Sequence, residues 1–158
     1  MKLFLSSTYE DLKGHRQKLE ESFAISGIVY NAMEHFGSTT TPPLQTCLSA
    51  VRSSDGFIAV LGVRYGAAPP RSRRSFTERE YRYARTLGIP TLVFLIDMRN
   101  ALVAPNWIHN ETADQQRRLQ AFKDLIGQHH HTVTYFTSPE DLSRLVLASV
   151  IREFAEIP

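Results

Sequence analysis

Five short apolar runs punctuate the chain: KLFLS at 2–6, GIVYNAM at 27–33, GFIAVLG at 56–62, TLVFLI at 91–96 and TVTYF at 132–136. The middle runs are almost continuously apolar and β-branched, as strands buried on both faces should be. Amphipathic segments separate them near 8–25, 42–53, 76–87, 113–127 and 139–155. The last opens on Ser138-Pro139-Glu140-Asp141, a capping serine, a proline at the first helical position and an acidic first turn. This alternation predicts right-handed crossovers and a sheet covered on both sides, an α/β three-layer sandwich with five parallel strands in flavodoxin-like order. No repeat, low-complexity tract or dividing linker interrupts it, so residues 1–158 are expected to form one domain.

In an open parallel sheet, ligands bind beyond the carboxyl ends of the strands, where the chain turns toward a helix. Those turns read SSTYED, EHFGSTTTPP, GVRYGAAPPRSRRS and DMRNALVAPNW. Two are longer than a minimal strand–helix connection, which points to a pocket on that edge.

The stretch SFTEREYRYA at 75–84 holds two glutamates two positions apart. On a helical wheel Phe76, Glu80, Tyr83, Ala84 and Leu87 share one stripe, the face expected to pack on the sheet. Glu78 lies on another stripe, four residues before Arg82, and reads as a solvent-side ion pair. A carboxylate on an apolar face must be paired, hydrogen-bonded or open to a cleft, so Glu80 needs an explanation. Ser75-x-x-Glu78 and Thr77-x-x-Glu80 are both capping-box patterns, and a helix uses only one as its start. With Thr77 as cap, Glu80 folds back on the backbone. With Ser75 as cap, Glu80 faces the pocket.

Four blocks in order, LFLSSTYEDLKGHR, MEHFG, PLQTCLSAVRSSDGFIAVLGVRYG and SFTEREYRYARTLGIPTLVFL, resemble a bacterial family known only as a domain of unknown function. That family often stands N-terminal in large STAND-type NTPase proteins and is grouped with TIR domains and nucleoside deoxyribosyltransferases. The segment around Glu80 is also similar, more weakly, to the transferase pattern Gly-Thr-x-x-Glu-x-Gly-x-Ala. Thr77 matches its threonine, Glu80 its catalytic glutamate and Ala84 its alanine, while Phe76 and Arg82 stand where the transferases have glycine. The resemblance implies a TIR-like fold with Glu80 as catalytic carboxylate.

One carboxylate is enough to serve N-glycosidic cleavage, because it can stabilise an oxocarbenium-like sugar or trap it covalently. Ser6, Ser7 and Thr8 follow the first strand, where hydroxyls and amides can bind ribose or phosphate. The structural alternative is that Ser7 or Thr8 caps the first helix. Arg64 can grip a phosphate and Tyr65 stack on a base; equally, Arg64 can neutralise Glu80 or Asp55. Asp55 itself reads as a turn residue with Gly56. Glu34 and His35 fall near the pocket edge.

Arg71, Arg73 and Arg74 make a basic, mobile-looking loop, yet a net charge of +2 and the absence of interleaved aromatics give no ground for nucleic-acid binding. His129, His130 and His131 are adjacent loop histidines, not a one-sided metal set, and no metal is expected. Cys47, the single cysteine, reads as a small core residue in a reducing compartment. No apolar run approaches a membrane span, and a cytoplasmic protein is expected. No P-loop or dinucleotide fingerprint is present. The expected function is a nucleotide N-glycosidase that takes NAD as substrate and needs no cofactor. It would act as an effector or signalling module that self-associates or works with a fused or partner NTPase domain. The alternative is a non-catalytic TIR-like interaction module exposing an apolar patch near Trp107 and Ile108.

Overall fold

A computed structural model describes residues 1–37, 43–130 and 132–155. Part of the EHFGSTTTPP turn and His131 of the histidine run lie outside the described residues. The five apolar runs are strands: β1 (Lys2–Ser7), β2 (Val29–Asn31), β3 (Gly56–Leu61), β4 (Thr91–Ile96) and β5 (Thr134–Phe136). All neighbours pair parallel, in the order β2-β1-β3-β4-β5. That is the flavodoxin-like arrangement, with the order reversing between β1 and β3.

Side-chain alternation divides the core into two layers. Leu3 and Leu5 of β1, Ile58 and Val60 of β3, and Phe94 and Ile96 of β4 point to one face. Phe4, then Phe57, Ala59 and Leu61, then Val93 and Leu95 point to the other. Period-two alternation from strands that are apolar at every position is what a sheet covered on both sides requires. The first layer is closed by α1 (Lys13–Ser26) and α6 (Pro139–Phe154). The second is closed by α2 (Pro43–Arg52), α3 (Phe76–Thr86) and α5 (Ala113–His129).

Local signals mark several ends. α1 stops at Gly27, whose φ of 66° is the left-handed conformation glycine adopts without strain. α6 begins as its sequence demands, with the Ser138 hydroxyl accepting from the Asp141 amide and Pro139 following. α5 opens on a Thr112–Gln115 capping box. The first helical segment is shorter than its periodicity suggests: a 3-10 turn, Glu10–Leu12, precedes α1. Neither Ser7 nor Thr8 caps it, since Leu12 holds the cap position without a side-chain bond. A short helix, α4 (Pro105–His109), interrupts the β4–α5 connection where the sequence suggested only loop.

Among the described residues no helix is long and apolar enough to cross a membrane.

Candidate functional site

Helix α3 starts at Ser75, whose hydroxyl accepts from the Glu78 amide at 3.2 Å. That choice of cap leaves Glu80 free to point inward, and Glu80 is only 3% exposed. Its Oε2 accepts from the Ser6 hydroxyl at the end of β1 at 2.5 Å. The Cys47 thiol of α2 donates to the same carboxylate. Among the described residues Glu80 makes no ion pair, and burial pushes its pKa up to about 7, against the partial relief of those two donors, with smaller opposing contributions from the Glu34 and Arg16 charges. Burial first, and the Glu80 charge second, push the Cys47 thiol up to about 12; this cysteine is a hydrogen-bond donor and no nucleophile.

A cleft of about 230 Å³ opens over Glu80 at the carboxyl ends of β1 and β3. Ser6, Ser7 and Thr8 line it from the first loop, and Thr77 and Glu80 from α3. Arg64 lines it as well, but its Nε sits on Glu111 Oε1 at 2.8 Å and its guanidinium lies over the Trp107 ring at 5.6 Å. It neutralises neither Glu80 nor Asp55. Asp55 instead accepts from the Lys2 amide at 2.6 Å at the amino end of β3.

Tyr65 is not among the cleft residues. Its ring is buried in the second core layer. Its hydroxyl donates to the Glu78 carboxylate and accepts from the Ser75 amide. A phenol committed to the start of α3 presents no face to a base, which corrects the expectation that Tyr65 stacks on one. Glu78 is also corrected. It does pair with Arg82, at 2.8 Å, but it is 6% exposed, because the loop carrying Tyr65 and Arg74 folds over it. The buried face of α3 is accordingly Thr77, Glu78, Glu80, Tyr81 and Ala84, with Leu87 left exposed.

Three functional contributors escaped the sequence reading. Asp11 ties the first and third loops together: its Oδ2 accepts from the Val63 and Arg64 amides and its Oδ1 from the Thr8 hydroxyl. Gly62 is required there, since a Cβ would stand 2.4 Å from Asp11 Oδ2. Glu111 anchors Arg64 and also accepts from the Tyr65 amide. Arg16 of α1 is 4% exposed, lines the cleft and donates to Ser7 Oγ at 2.7 Å and Glu34 Oε2 at 2.5 Å. Glu34 therefore belongs to the cleft, whereas His35 packs edge-on against Tyr30. Of the three contributors only Asp11 carried a local signal, three residues beyond Thr8, and its link to the third loop carried none.

The remaining basic and histidine motifs lie elsewhere. Arg74 reaches Glu78 at 3.8 Å, the Arg73 carbonyl accepts from Arg118, and Arg71 adopts a positive φ of 62°. His129 and His130 both contact the buried Tyr81 hydroxyl, at 3.1 and 2.8 Å. No group of His, Cys, Asp and Glu among the described residues is placed to hold a metal ion.

A cleft at the topological switch of a parallel five-stranded sheet, floored by one buried carboxylate, marks a flavodoxin-like α/β domain with a candidate ligand site. The TIR domains of the activated Roq1 resistosome, which directly recognises the pathogen effector XopQ, share this fold with a TM-score of 0.60. They are 11% identical, and the match covers 94% of this chain and 98% of that one. The chain belongs to the family described as Domain of unknown function (DUF4062), which matches residues 2–150. A probable GTP-binding protein engB aligns at a TM-score of 0.47 and 14% identity, over 97% of this chain and 99% of that one. No curated protein matches in sequence.

Proposed function

We propose that this cleft cleaves the N-glycosidic bond of a nucleotide, NAD in the first instance, with Glu80 as the catalytic carboxylate. The observation that carries this reading is the buried Glu80 carboxylate, hydrogen-bonded at the cleft by the neutral donors Ser6 and Cys47 and engaged in no ion pair among the described residues. Such a group is poised to gain most from a positive charge developing above it.

The C1′–N bond breaks with its electron pair leaving on nitrogen. When the leaving group is a pyridinium, that pair neutralises the ring and nicotinamide departs without a proton, so the site needs no general acid. The ribosyl oxocarbenium is stabilised by the carboxylate or captured by it as an ester. Water then attacks C1′, the C1′–O bond of any ester breaks with its electron pair returning to the carboxylate, and the water's proton passes to solvent. Ser7, Thr8 and Thr77 supply hydroxyls around the sugar, and Arg64, braced by Glu111, stands ready for a phosphate.

The domain would serve as an effector or signalling module of the bacterial, STAND-associated and deoxyribosyltransferase-related group it resembles, working inside the cell. Self-association, or an attached or partner NTPase domain, would switch it on. That Roq1's TIR domains occur in a resistosome supports the self-association.

A second reading rests on a separate observation. Met98, Leu102 and Ile108 are exposed along the β4–α5 connection, Leu102 almost fully at 99%. An interaction module with a silent cleft would need such a surface.

Nicotinamide release from NAD by concentrated protein, beside Glu80→Gln, separates the two. The glycosidase reading expects release that vanishes in the variant. Absence of release at concentrations that force association would favour the module.

A further inference from the structure

Beyond Glu80, the cleft holds a second carboxylate in a contrasting setting. Glu34 lies in the 3-10 turn Met33–Phe36 after β2, with its side chain 37% exposed. It is fixed by Arg16, whose two terminal amines divide between Glu34 Oε2 and Ser7 Oγ. One buried guanidinium thus sets a hydroxyl from the first loop and a carboxylate from the second against the same space. Its Nε is buried with no hydrogen-bond acceptor among the described residues, so Arg16 acts on the cleft through its two terminal amines alone. Glu34 and Glu80 also sense each other electrostatically, since the Glu34 charge adds to the upward push on Glu80.

The chemistry of this corner selects against a phosphate. Glu34 and Glu80 both face the space and repel a dianion, and Arg16 is already shared with Glu34. It suits a vicinal diol. Each ribose hydroxyl donates one hydrogen bond and accepts others, so a diol can give its protons to Glu34 while accepting from the guanidinium or Ser7. We infer that the Arg16-locked Glu34 reads the 2′- and 3′-hydroxyls of the sugar whose C1′ lies at Glu80, so that the cleft takes ribosides in preference to 2′-deoxyribosides. This rests on the glycosidase reading and deepens it: Glu80 meets the reacting carbon, Glu34 chooses the sugar, and Arg16 is the positioning residue.

The test compares NAD with its analogue lacking the 2′-hydroxyl on the nicotinamide ribose, in the wild-type chain and in Glu34→Gln. Glu34→Gln keeps the side-chain size and an acceptor oxygen for Arg16, and a thermal melt of the variant is taken before rates are compared. Each substrate has its own intrinsic lability, which cancels when each is compared between the two proteins. A hydrogen bond to a charged group is worth enough that Glu34→Gln should lower kcat/KM for NAD by about 10- to 100-fold, while the deoxy analogue, which keeps only the 3′-hydroxyl contact, should lose about tenfold less. Equal losses on both substrates, or none, would overturn the inference while leaving Glu80-dependent release intact. Calorimetric binding of the same two compounds to Glu80→Gln, with and without Glu34→Gln, gives a readout independent of turnover. A ribosyl preference that vanishes with Glu34 supports the diol site even if the chain proves catalytically silent. Equal affinity for the two compounds refutes it.

Discussion

Glu78 and Glu80 stand two residues apart on α3, both nearly inaccessible, and their surroundings are opposite. Glu78 is enclosed by charge and polarity: the Arg82 and Arg74 guanidinia, the Tyr65 hydroxyl and its own helix start. Glu80 has a serine hydroxyl and a thiol. The first arrangement stabilises a charge at the cost of committing it, as structural ion pairs do. The second holds a carboxylate whose ionisation the fold opposes, which is the condition for a group whose charge is to be used. Depth of burial alone does not separate them. The partners do.

The contrast should appear first in how stability depends on pH. Burial raises Glu80 from 4.5 to about 7, so the folded state holds its proton more tightly than the unfolded chain. The resulting stabilisation is complete below about pH 4.5 and is lost as pH rises through about 7. Glu80→Gln has no proton to lose. It should match the wild type near pH 4.5 and exceed it by about 3 kcal/mol at pH 8, a gain of roughly 6–12 °C in melting temperature for a chain this size. Thermal melts across that range check it, and parallel curves would place Glu80 in a more polar setting than described.

Glu78→Gln should act in the other direction. Removing a buried carboxylate that Tyr65 and Arg82 both address should cost about 1–3 kcal/mol, measurable by urea unfolding at pH 7. Little loss would mean that the loop over Glu78 does not depend on it.

The smallest effect belongs to the helix start. Ser75→Ala deprives the Glu78 amide of its acceptor and should cost about 1 kcal/mol. Thr77→Ala should have no capping cost, since Thr77 lies inside α3. Were Thr77→Ala the costlier change, the second capping box would be the one in use, and Glu80 would lose its claim to the cleft.

Much of this architecture is legible in the sequence. The central strands are readable because they are apolar on both faces, and nothing but a sheet covered on two sides suits GFIAVL and TLVFLI. The α6 start is readable because Ser-Pro-Glu-Asp states each of its first positions. The wheel picks out Glu80 because a charge at a sheet-facing position has no local explanation. It misplaces Glu78, however, because a wheel shows a helix against one surface, and the loop from Tyr65 to Arg74 supplies a second. Tyr65 is misjudged for the same reason: its sequence neighbours put it after β3, and only the folded loop turns its hydroxyl back to Ser75. Arg16, Asp11 and Glu111 escape notice because their partners lie elsewhere in the chain, Glu111 reaching Arg64 across 47 positions. No periodicity encodes such a contact.

The two glutamates also supply the sharpest test of what the cleft does. Nicotinamide release should be followed in the wild type, Glu80→Gln and Glu78→Gln, each at a temperature where melts show it folded. A catalytic Glu80 predicts loss of about 100- to 1000-fold in Glu80→Gln, the more stable protein, with turnover retained in Glu78→Gln, the less stable one. Release that survives Glu80→Gln, or that falls equally in both variants, would contradict the assignment of Glu80 as the catalytic carboxylate.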